Sequence, residues 1–288
     1  MELPFDKTGS LHLGTAGDGD LRWAVADMAP VVEEARRARD LSPLAAIGLG
    51  QLLTGAALLS RFISKEPLRI VLEVRGDGPL GRIRAEADSL GRIRGLVQRP
   101  LARREEDHGP GAPELGTGTL RVMRQLDRKN YDSRVALVDG GVARNLAHFL
   151  DQSEQIRSAV VLGVLTRREG VAAGGGLIVE ALPGADATLV RELERRFGDF
   201  PSVSAVLERE GPWGLLAQAL GDLERQQLEE RHLLLACDCD RDRFQQHLRA
   251  LMLQEPELLE EGEDRLTVQC SFCGEDYAFS ADELLTLM

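Results

Sequence analysis

The sequence predicts an α+β protein with a mostly antiparallel N-terminal sheet packed with helices, followed by a helical linker and a small C-terminal module. Helical and strand-like patterns follow one another in residues 1–185 without regular βα alternation. Residues 186–288 are acidic, with 10 basic and 23 acidic residues, against 25 and 24 in the preceding part. All four cysteines lie between positions 237 and 273. These shifts predict three regions: an α+β core domain (1–184), a helical linker (185–230) and a cysteine module (231–288).

Helices are predicted first, over residues 20–62. One side of an initial helix carries the apolar residues Val31, Val32, Ala35 and Ala38. Ser42 followed by Pro43 is typical of a helix N-cap with proline at the first helical position. Residues 44–62 are apolar nearly all round and contain three glycines, which predicts a buried helix, too short and too interrupted to span a membrane.

A strand-rich stretch follows this pair of helices. The predicted strands cover residues 69–74, 81–87, 119–126, 133–138, 159–166 and 171–182, and one helix covers residues 142–152. Gly76-Asp77-Gly78-Pro79 and the polar residues 127–130 predict turns, and residues 100–117, rich in Gly, Pro and charge, predict a surface loop. This order of elements favours a mostly antiparallel sheet.

Residues 186–230 carry two amphipathic helical patterns and many acidic residues. The apolar stripes are Leu189, Val190, Leu193 and Phe197 in the first pattern, and Leu215, Leu216, Leu220 and Leu223 in the second. An apolar stripe is stable only when it covers another apolar surface, so we expect these helices to lie on the core domain.

Bulk composition limits the classes of protein to which the chain could belong. Hydrophobic residues make up 43% and aromatic residues 4%, so a large core is available and must be mainly aliphatic. The N-terminus lacks the layout of a signal peptide, and the sequence contains no apolar run of 18 residues. We therefore expect a cytoplasmic protein without membrane partners, where disulfides do not normally persist. The acidic C-terminal third argues against nucleic-acid binding there.

The cysteines form two close pairs, Cys237-Asp238-Cys239 and Cys270-Ser271-Phe272-Cys273, separated by thirty residues. Two such pairs can present four thiolates tetrahedrally to one Zn²⁺, and Gly274 permits the positive φ of a tight turn. Four sulfurs fill that shell and leave no position for a hydrolytic water, so His232 and His247 are interpreted as surface residues. Four free buried thiols are one alternative. A C-x-x-C oxidoreductase is another, although its motif normally begins a helix in a βαβ setting.

The rest of the cysteine module contains few apolar residues. Residues 266–268 and 277–279 predict two short strands, and Ser280 with Glu283 fits a capping box at the start of a last helix. The apolar faces are Phe244, Leu248 and Leu251 on the helix between the cysteine pairs, and Leu284, Leu285 and Leu287 on the last helix. Such a module cannot be held together by its own apolar groups, so zinc binding of about 10–16 kcal/mol would supply its folding energy.

Three other motifs favour structural roles. The glycine-rich residues 76–79 and 174–176 lack the Gly-Lys-Ser/Thr ending of a phosphate loop and predict turns or bulges. Ser153 lies beside Glu154, but no histidine is placed to complete a triad, so Ser153 is interpreted as a helix-end group. A cluster of arginines is interpreted as a solvated face or as a contact for acidic linker residues: Arg82, Arg84, Arg92, Arg94, Arg99, Arg103 and Arg104.

The cysteine pattern and several short motifs together resemble the heat shock protein 33 (Hsp33) family of redox-regulated chaperones. The motifs, in the family's order, are Gly76-Asp77-Gly78-Pro79, Arg94-Gly95, Gln152-Ser153-Glu154-Gln155-Ile156, Ser158-Ala159, and Ala172-Ala173-Gly174-Gly175-Gly176. The resemblance covers roughly residues 20–285 of the sequence. Residues 1–19 match nothing in the family, and the run 253–264 departs from its pattern.

The resemblance implies a stress-response chaperone with one Zn²⁺ per chain in a reduced, inactive state. It implies that oxidation forms Cys237–Cys239 and Cys270–Cys273 disulfides, releases zinc and unfolds the module and the linker. The oxidised chain would form homodimers and bind unfolded or aggregation-prone proteins. A physical account supports this switch, because zinc ties together the ends of a thirty-residue loop whereas each disulfide closes a very small one.

The residues alone leave two other classes of function possible. A zinc ribbon that acts in nucleic-acid binding or transcription calls for a basic surface, but residues 231–288 hold 5 basic and 13 acidic residues. A thiol oxidoreductase or hydrolase requires a base and a nucleophile placed together, and the sequence offers no convincing pair. We therefore predict no catalytic residue and no enzyme activity.

Overall fold

The computed structural model describes residues 8–62, 68–103, 115–126, 129–252 and 265–285 of the chain. The chain divides into two compact units, Met1–Leu235 and Ala236–Met288. The finer division of the first unit into a core domain and a linker stays a prediction. Parts of the predicted loop at 100–117 and turn at 127–130, and all of the irregular run 253–264, lie outside the described residues.

The first unit is built on one large sheet. Its ten described strands are β1 (Gly9–Ala16), β2 (Leu21–Asp27), β3 (Leu68–Gly76), β4 (Arg82–Asp88), β5 (Arg92–Val97), β6 (Gly118–Leu126), β7 (Lys129–Ala136), β8 (Ser158–Arg167), β9 (Gly170–Ala181) and β10 (Arg225–Leu235). Their order is β7-β6-β3-β4-β5-β10-β1-β2-β9-β8. The described neighbours pair antiparallel except β5 and β10, which are parallel over a short register. The predicted α+β class with a mostly antiparallel sheet is therefore confirmed.

Five helices of this unit lie among the described residues: α1 (Ala29–Ala38), α2 (Pro43–Phe62), α3 (Val142–Phe149), α4 (Ala187–Gly198) and α5 (Val203–Leu220). A π-helical turn, Leu150–Glu154, extends α3. The Ser42 N-cap is confirmed, since the Ala45 N–H donates to Ser42 Oγ at 3.2 Å. By length and composition α2 could cross a membrane, contrary to the prediction that it is too short, but 89% of that stretch is buried inside the protein.

The sheet carries an apolar core on each face. Alternate residues of β2 point to opposite sides, so Ala24 and Ala26 join the core with α1, α2 and α3, whereas Trp23 and Val25 join a second core. The second core contains α4 and α5 and includes most of the predicted stripe residues: Leu189, Leu193, Phe197, Leu215, Leu216, Leu220 and Leu223. The two amphipathic helices thus cover one face of the sheet, as expected.

Four strands depart from the predicted elements. β1 occupies residues 9–16, for which no helix or strand is predicted. Residues 21–27, predicted as helix, form β2, which is buried on both faces and so lacks the alternation that marks a half-exposed strand. β10 includes residues 225–230 of the predicted helical linker, and its Gln, Glu, Leu and Arg residues favour helix by intrinsic propensity. β1 and β5 hold it in the sheet. β5 was not predicted, because its arginines and its glycine obscure the short apolar alternation.

The second unit contains α6 (Arg241–Met252), a hairpin of β11 (Arg265–Gln269) and β12 (Asp276–Ser280), and α7 (Ala281–Leu285). Both predicted strands are confirmed. Its described core consists of four buried hydrophobic residues: Leu248, Met252, Phe279 and Leu284. The prediction for Leu251 is wrong, since it is 48% exposed and the helix turns Met252 inward instead, four residues after Leu248. Leu287 lies outside the described residues.

Candidate metal centre

Each cysteine pair lies in a short connection between two regular elements. Cys237 and Cys239 lie in the extended stretch between β10 and α6, and Cys270 and Cys273 lie in the turn that joins β11 to β12. In that turn Gly274 has a φ of 79°, and its N–H donates to the Cys270 carbonyl at 2.9 Å. The tight turn predicted from Gly274 is confirmed, and it points the C-x-x-C sulfurs to one side.

The structure brings the four predicted sulfurs together, although thirty residues separate the pairs. All four Sγ atoms lie within 4.8 Å of one another. The sulfurs of Cys237 and Cys270 are 3.7 Å apart, and those of Cys239 and Cys273 are 3.4 Å apart. Four sulfurs at about 2.3 Å from a central Zn²⁺ would be about 3.8 Å from one another. The cluster therefore has the dimensions of a tetrahedral all-sulfur site.

Backbone N–H groups surround the sulfurs and perturb their acidity. Burial opposes ionisation of Cys270, but the N–H groups of Cys273 and Phe272 donate to its sulfur and bring its pKa below the ordinary thiol value. Burial raises the pKa of Cys237 to about 11, and burial also raises the pKa of Cys273. Without a cation, adjacent thiolates repel one another, so ionisation of Cys270 opposes ionisation of Cys237 and Cys273. A bound divalent cation reverses this preference.

Aromatic contacts and a helix cap stabilise the segments that carry the cysteines. The Tyr277 hydroxyl lies 3.2 Å from Cys239 Sγ, and this contact raises the tyrosine pKa. The Tyr277 ring packs on Phe244 with centroids 4.8 Å apart. The predicted capping box is confirmed, because the Ser280 N–H donates to Glu283 Oε2 at 2.8 Å and the Glu283 N–H donates to Ser280 Oγ at 3.2 Å.

The two histidines considered as alternative ligands have other surroundings. His232 is an exposed residue of β10, opposite Ser10 of β1. His247 is an exposed residue of α6, and its Nδ1 lies 2.7 Å from the Arg243 carbonyl. Within the described residues, the grouping with metal-ligand spacing contains the four cysteines and neither histidine.

The other motifs noted in the sequence, residues 76–79, 152–156 and 174–176, lie in turns and strands of the first unit. Gly76-Asp77-Gly78-Pro79 is a turn, in which Asp77 Oδ1 accepts from the Thr117 N–H at 2.7 Å. The turn or bulge predicted at residues 174–176 is wrong, because these glycines lie inside β9 in unbroken register with β8. The π-helical turn at 150–154 was not predicted, and it ends at Gln155 in the left-handed region with a φ of 56°. Glu154 of this turn forms an ion pair with Arg124 at 2.9 Å.

Two members of the arginine cluster pair with one buried carboxylate, one from the same strand and one from the neighbouring strand. Arg84 and Arg94 both donate to the buried carboxylate of Glu86, at distances of 2.7 to 2.9 Å. These hydrogen bonds lower the Glu86 pKa, although burial by itself would raise it. A contact between these arginines and acidic linker residues stays a prediction, and Arg104 lies outside the described residues.

Comparison with known proteins agrees with this fold. The family profile described as "Hsp33 protein" matches residues 9–280, nearly the whole chain. The chain belongs to the Hsp33 family. The resemblance proposed from the cysteine pattern and the short motifs is confirmed, but its predicted start at residue 20 is wrong, since the family match begins at residue 9.

Individual Hsp33 relatives match over similar lengths. A protein named 33 kDa chaperonin from Thermus thermophilus is 41% identical over 97% of this chain and 86% of its own length. A 33 kDa chaperonin from Syntrophotalea carbinolica is 33% identical over 94% of this chain and 96% of its own length. The crystal structure of the Hsp33 homologue from Thermotoga maritima superposes with a TM-score of 0.88 at 32% identity, covering 96% of this chain and 97% of that one.

Proposed function

We propose that this Hsp33 family member is a cytoplasmic, redox-regulated holdase whose switch is the cluster of Cys237, Cys239, Cys270 and Cys273. The observation that carries the proposal is the convergence of these four sulfurs, within 4.8 Å, inside a separate small unit of a chaperone-family chain. The reduced, metal-bound form would be inactive, and the oxidised form would bind unfolded proteins as a homodimer. We propose no catalytic residue.

The four cysteines fit one Zn²⁺ per chain. An all-sulfur shell with sulfur separations near 3.4–3.7 Å suits a tetrahedral, thiophilic ion. The N–H groups of Cys239, Phe272, Cys273 and Glu275 donate to cluster sulfurs, which is the outer support that such ligands need. When bound, zinc would hold the sulfurs as thiolates and cross-link the two cysteine segments.

Oxidation would convert the ligands into disulfides. Each disulfide forms when two zinc-bound thiolates lose two electrons to one hydrogen peroxide, which takes up two protons from solvent and becomes two water molecules, and Zn²⁺ would leave once its ligands are oxidised. The proposed products are Cys237–Cys239 and Cys270–Cys273, so two peroxides oxidise one cluster. The sulfur distances leave this pairing open, because Cys237 also lies 3.7 Å from Cys270 and Cys239 lies 3.4 Å from Cys273.

The pairing decides whether the unit stays cross-linked. A Cys237–Cys270 disulfide would close a long loop and preserve the tie between the cysteine segments. The proposed local disulfides close loops of three and four residues, cysteines included, and constrain the unfolded chain little. With a described core of four buried hydrophobic residues, the second unit would then unfold. The apolar faces of α4 and α5 are the surface that we propose becomes available for clients.

The proposal is tested by oxidising the full chain with peroxide. We expect released zinc to reach one equivalent per chain as the protein begins to suppress aggregation of chemically denatured citrate synthase. Peptide mapping should find Cys237–Cys239 and Cys270–Cys273, and trypsin should cut residues 186–288 faster than in the reduced protein. Ser271→Ala, beside the ligands, is the matched control and should behave as wild type.

Two results would contradict the proposal. One is equal protection of residues 186–288 from trypsin before and after oxidation. The other is aggregation suppression that is the same in the reduced wild type, the oxidised wild type and a Cys270→Ser variant. A disulfide map that joins Cys237 to Cys270 would keep the chaperone role but remove the proposed cause of unfolding.

A further inference from the structure

The two edges of the ten-stranded sheet differ in their chemistry. β7 forms one edge and carries Lys129, Asp132 and Arg134 along its length. β8 forms the other edge and has no charged residue or proline from Ser158 to Thr166. Proteins normally protect open edges with charge, proline or a covering element, because an unpaired strand invites another strand to pair. β7 follows this rule and β8 does not.

A cavity of about 1060 Å³ follows the β8 edge. Residues 162–166 all line it, and five consecutive residues can line one cavity only where it runs along the strand's edge, since alternate side chains point to opposite faces. The start of α2 and residues 101–103 form one wall, and residues 202–204 at the start of α5 form another. Within the described ranges, the backbone hydrogen bonds of β8 go to β9, so its outer edge is free to pair.

A buried acceptor without a donor lies in the same cavity. Gln51, on α2, lines the cavity, is 6% exposed, and its Oε1 has no hydrogen-bond partner among the residues that the structure describes. An unpaired buried carbonyl is unfavourable, so this atom favours a ligand that brings an N–H or O–H group. Most of the surrounding surface is apolar, including Leu44, Ile47 and Leu162.

We propose that this cavity, the β8 groove, binds an extended, uncharged, apolar segment of an unfolded polypeptide as an added strand. Every second backbone N–H of the segment donates to the β8 edge. A backbone N–H on the opposite side of the segment donates to Gln51 Oε1. The apolar side chains of the segment occupy the groove walls. The inference rests on the proposed holdase function and names a surface where clients are held.

The groove is coupled to the proposed switch through α5. One groove wall is the start of α5, within the region predicted as the linker (185–230). Val161 and Leu165 of β8 pack in the second core, which contains α5. When α4 and α5 leave the sheet, the groove opens on that side and Val161 and Leu165 become accessible to the segment. Segment binding is therefore tighter after oxidation than before it.

Binding is tested on the full chain with a fluorescein-labelled peptide of alternating valine and threonine, with a lysine at each end. We expect saturable anisotropy that tightens on oxidation, and amide exchange in residues 162–166 that slows about tenfold with bound peptide. A peptide N-methylated at every residue has no backbone N–H to donate from either edge and should not bind. Unchanged exchange in residues 162–166, or equal binding of both peptides, overturns the proposal.

Two exposed leucines provide matched variants. Leu101 lies at the groove and is 66% exposed, and Leu90 lies outside the groove lining and is 68% exposed, so aspartate at either position leaves the core intact. Leu101→Asp should weaken peptide binding about tenfold, because it puts a charge beside an apolar segment, and Leu90→Asp should not change it. Equal affinities of the two variants contradict the groove assignment.

The remaining outcomes separate this inference from the proposed function. If oxidised wild type suppresses aggregation but Leu101→Asp and Leu90→Asp suppress it equally, the holdase role stands and the groove assignment fails. If oxidised wild type does not suppress aggregation, the holdase role fails. A dimer that forms through the edge and is lost in Leu101→Asp, with no peptide binding, identifies a second copy as the occupant and overturns the proposal.

Discussion

The first unit buries an apolar core on each face of a ten-stranded sheet, whereas the second unit buries four described hydrophobic side chains beside four cysteines. Apolar burial scales with size, so a unit of about 235 residues can be stable by packing, and one of about 53 residues with so small a core cannot. In the second unit, four oxidisable sulfurs from two separate segments lie together at one point.

This difference suits the proposed switch. A unit whose stability is spread over many contacts responds little to a change at any one of them. A unit whose stability is concentrated in four oxidisable sulfurs can lose its fold through one chemical event. The first unit would then serve as the stable platform, and the second as the sensor.

Metal removal should give the largest difference between the two units. A high-affinity chelator should unfold residues 236–288, because it removes the zinc binding free energy of about 10–16 kcal/mol that such sites supply. The sheet of the first unit should stay protected from exchange. Hydrogen exchange resolved by peptide measures both units in one sample. Cys270→Ser should act like the chelator and Ser271→Ala should not. Retained protection of residues 265–285 without metal would show that packing alone holds the second unit.

Truncation of a core side chain in the first unit should destabilise that unit and leave the second unit unchanged. Leu52 is fully buried on α2, so Leu52→Ala should lower the free energy of unfolding of the first unit by about 2–5 kcal/mol. Denaturant titration of the zinc-loaded protein measures this change, and zinc content per chain should stay the same. Leu251→Ala is the control, because Leu251 is 48% exposed. A loss of zinc in Leu52→Ala would mean that the two units are not independent.

The capping box of α7 should make a smaller contribution to the second unit. Ser280→Ala removes the acceptor of the Glu283 N–H and should cost about 1 kcal/mol, which corresponds to about fivefold faster exchange through unfolding of residues 265–285. The measurement requires saturating zinc, since metal loss would obscure it. Ser271→Ala, exposed in the same unit, should leave exchange unchanged.

A carboxylate in the first unit predicts a modest dependence of stability on pH. Hydrogen bonds from Arg36, and further ones from Val171 and Arg37, lower the pKa of Glu33 from 4.5 to about 2. Its contribution is therefore fully present above about pH 4.5 and is lost as the pH falls towards 2.

The corresponding variant is Glu33→Gln. Because the group is partly exposed, we expect it to lower the free energy of unfolding by about 1 kcal/mol at neutral pH and to flatten the decline between pH 4.5 and 2. Acid titration followed by denaturant unfolding measures both effects. Glu169→Gln, an exposed residue, is the control. An unchanged acid profile in Glu33→Gln would exclude this carboxylate as a source of acid sensitivity.

Local signals predicted the metal site more fully than they predicted the sheet. Cysteine spacing, Gly274 and the Ser280–Glu283 capping box act over a few residues, and the structure has all three as predicted. The β8 groove was not predicted, because its acceptor, Gln51, occurs in an otherwise apolar helix and nothing in the sequence marks its orientation. The π-helical turn at 150–154 gave no periodic signal that distinguishes it from the end of α3.

The amino-acid sequence by itself determined the two cysteine pairs, the buried helix α2, the amphipathic helices α4 and α5 and the family to which the chain belongs, because each depends on neighbours within a few turns or on short motifs. Tertiary structure alone decided that β10 lies between β5 and β1, where Gly9 pairs with Leu233. The stability of that strand comes from partners far away in the chain, and these outweigh its own preference for helix. The convergence of the four sulfurs to within 4.8 Å was likewise a property of the folded unit, although their spacing predicted it.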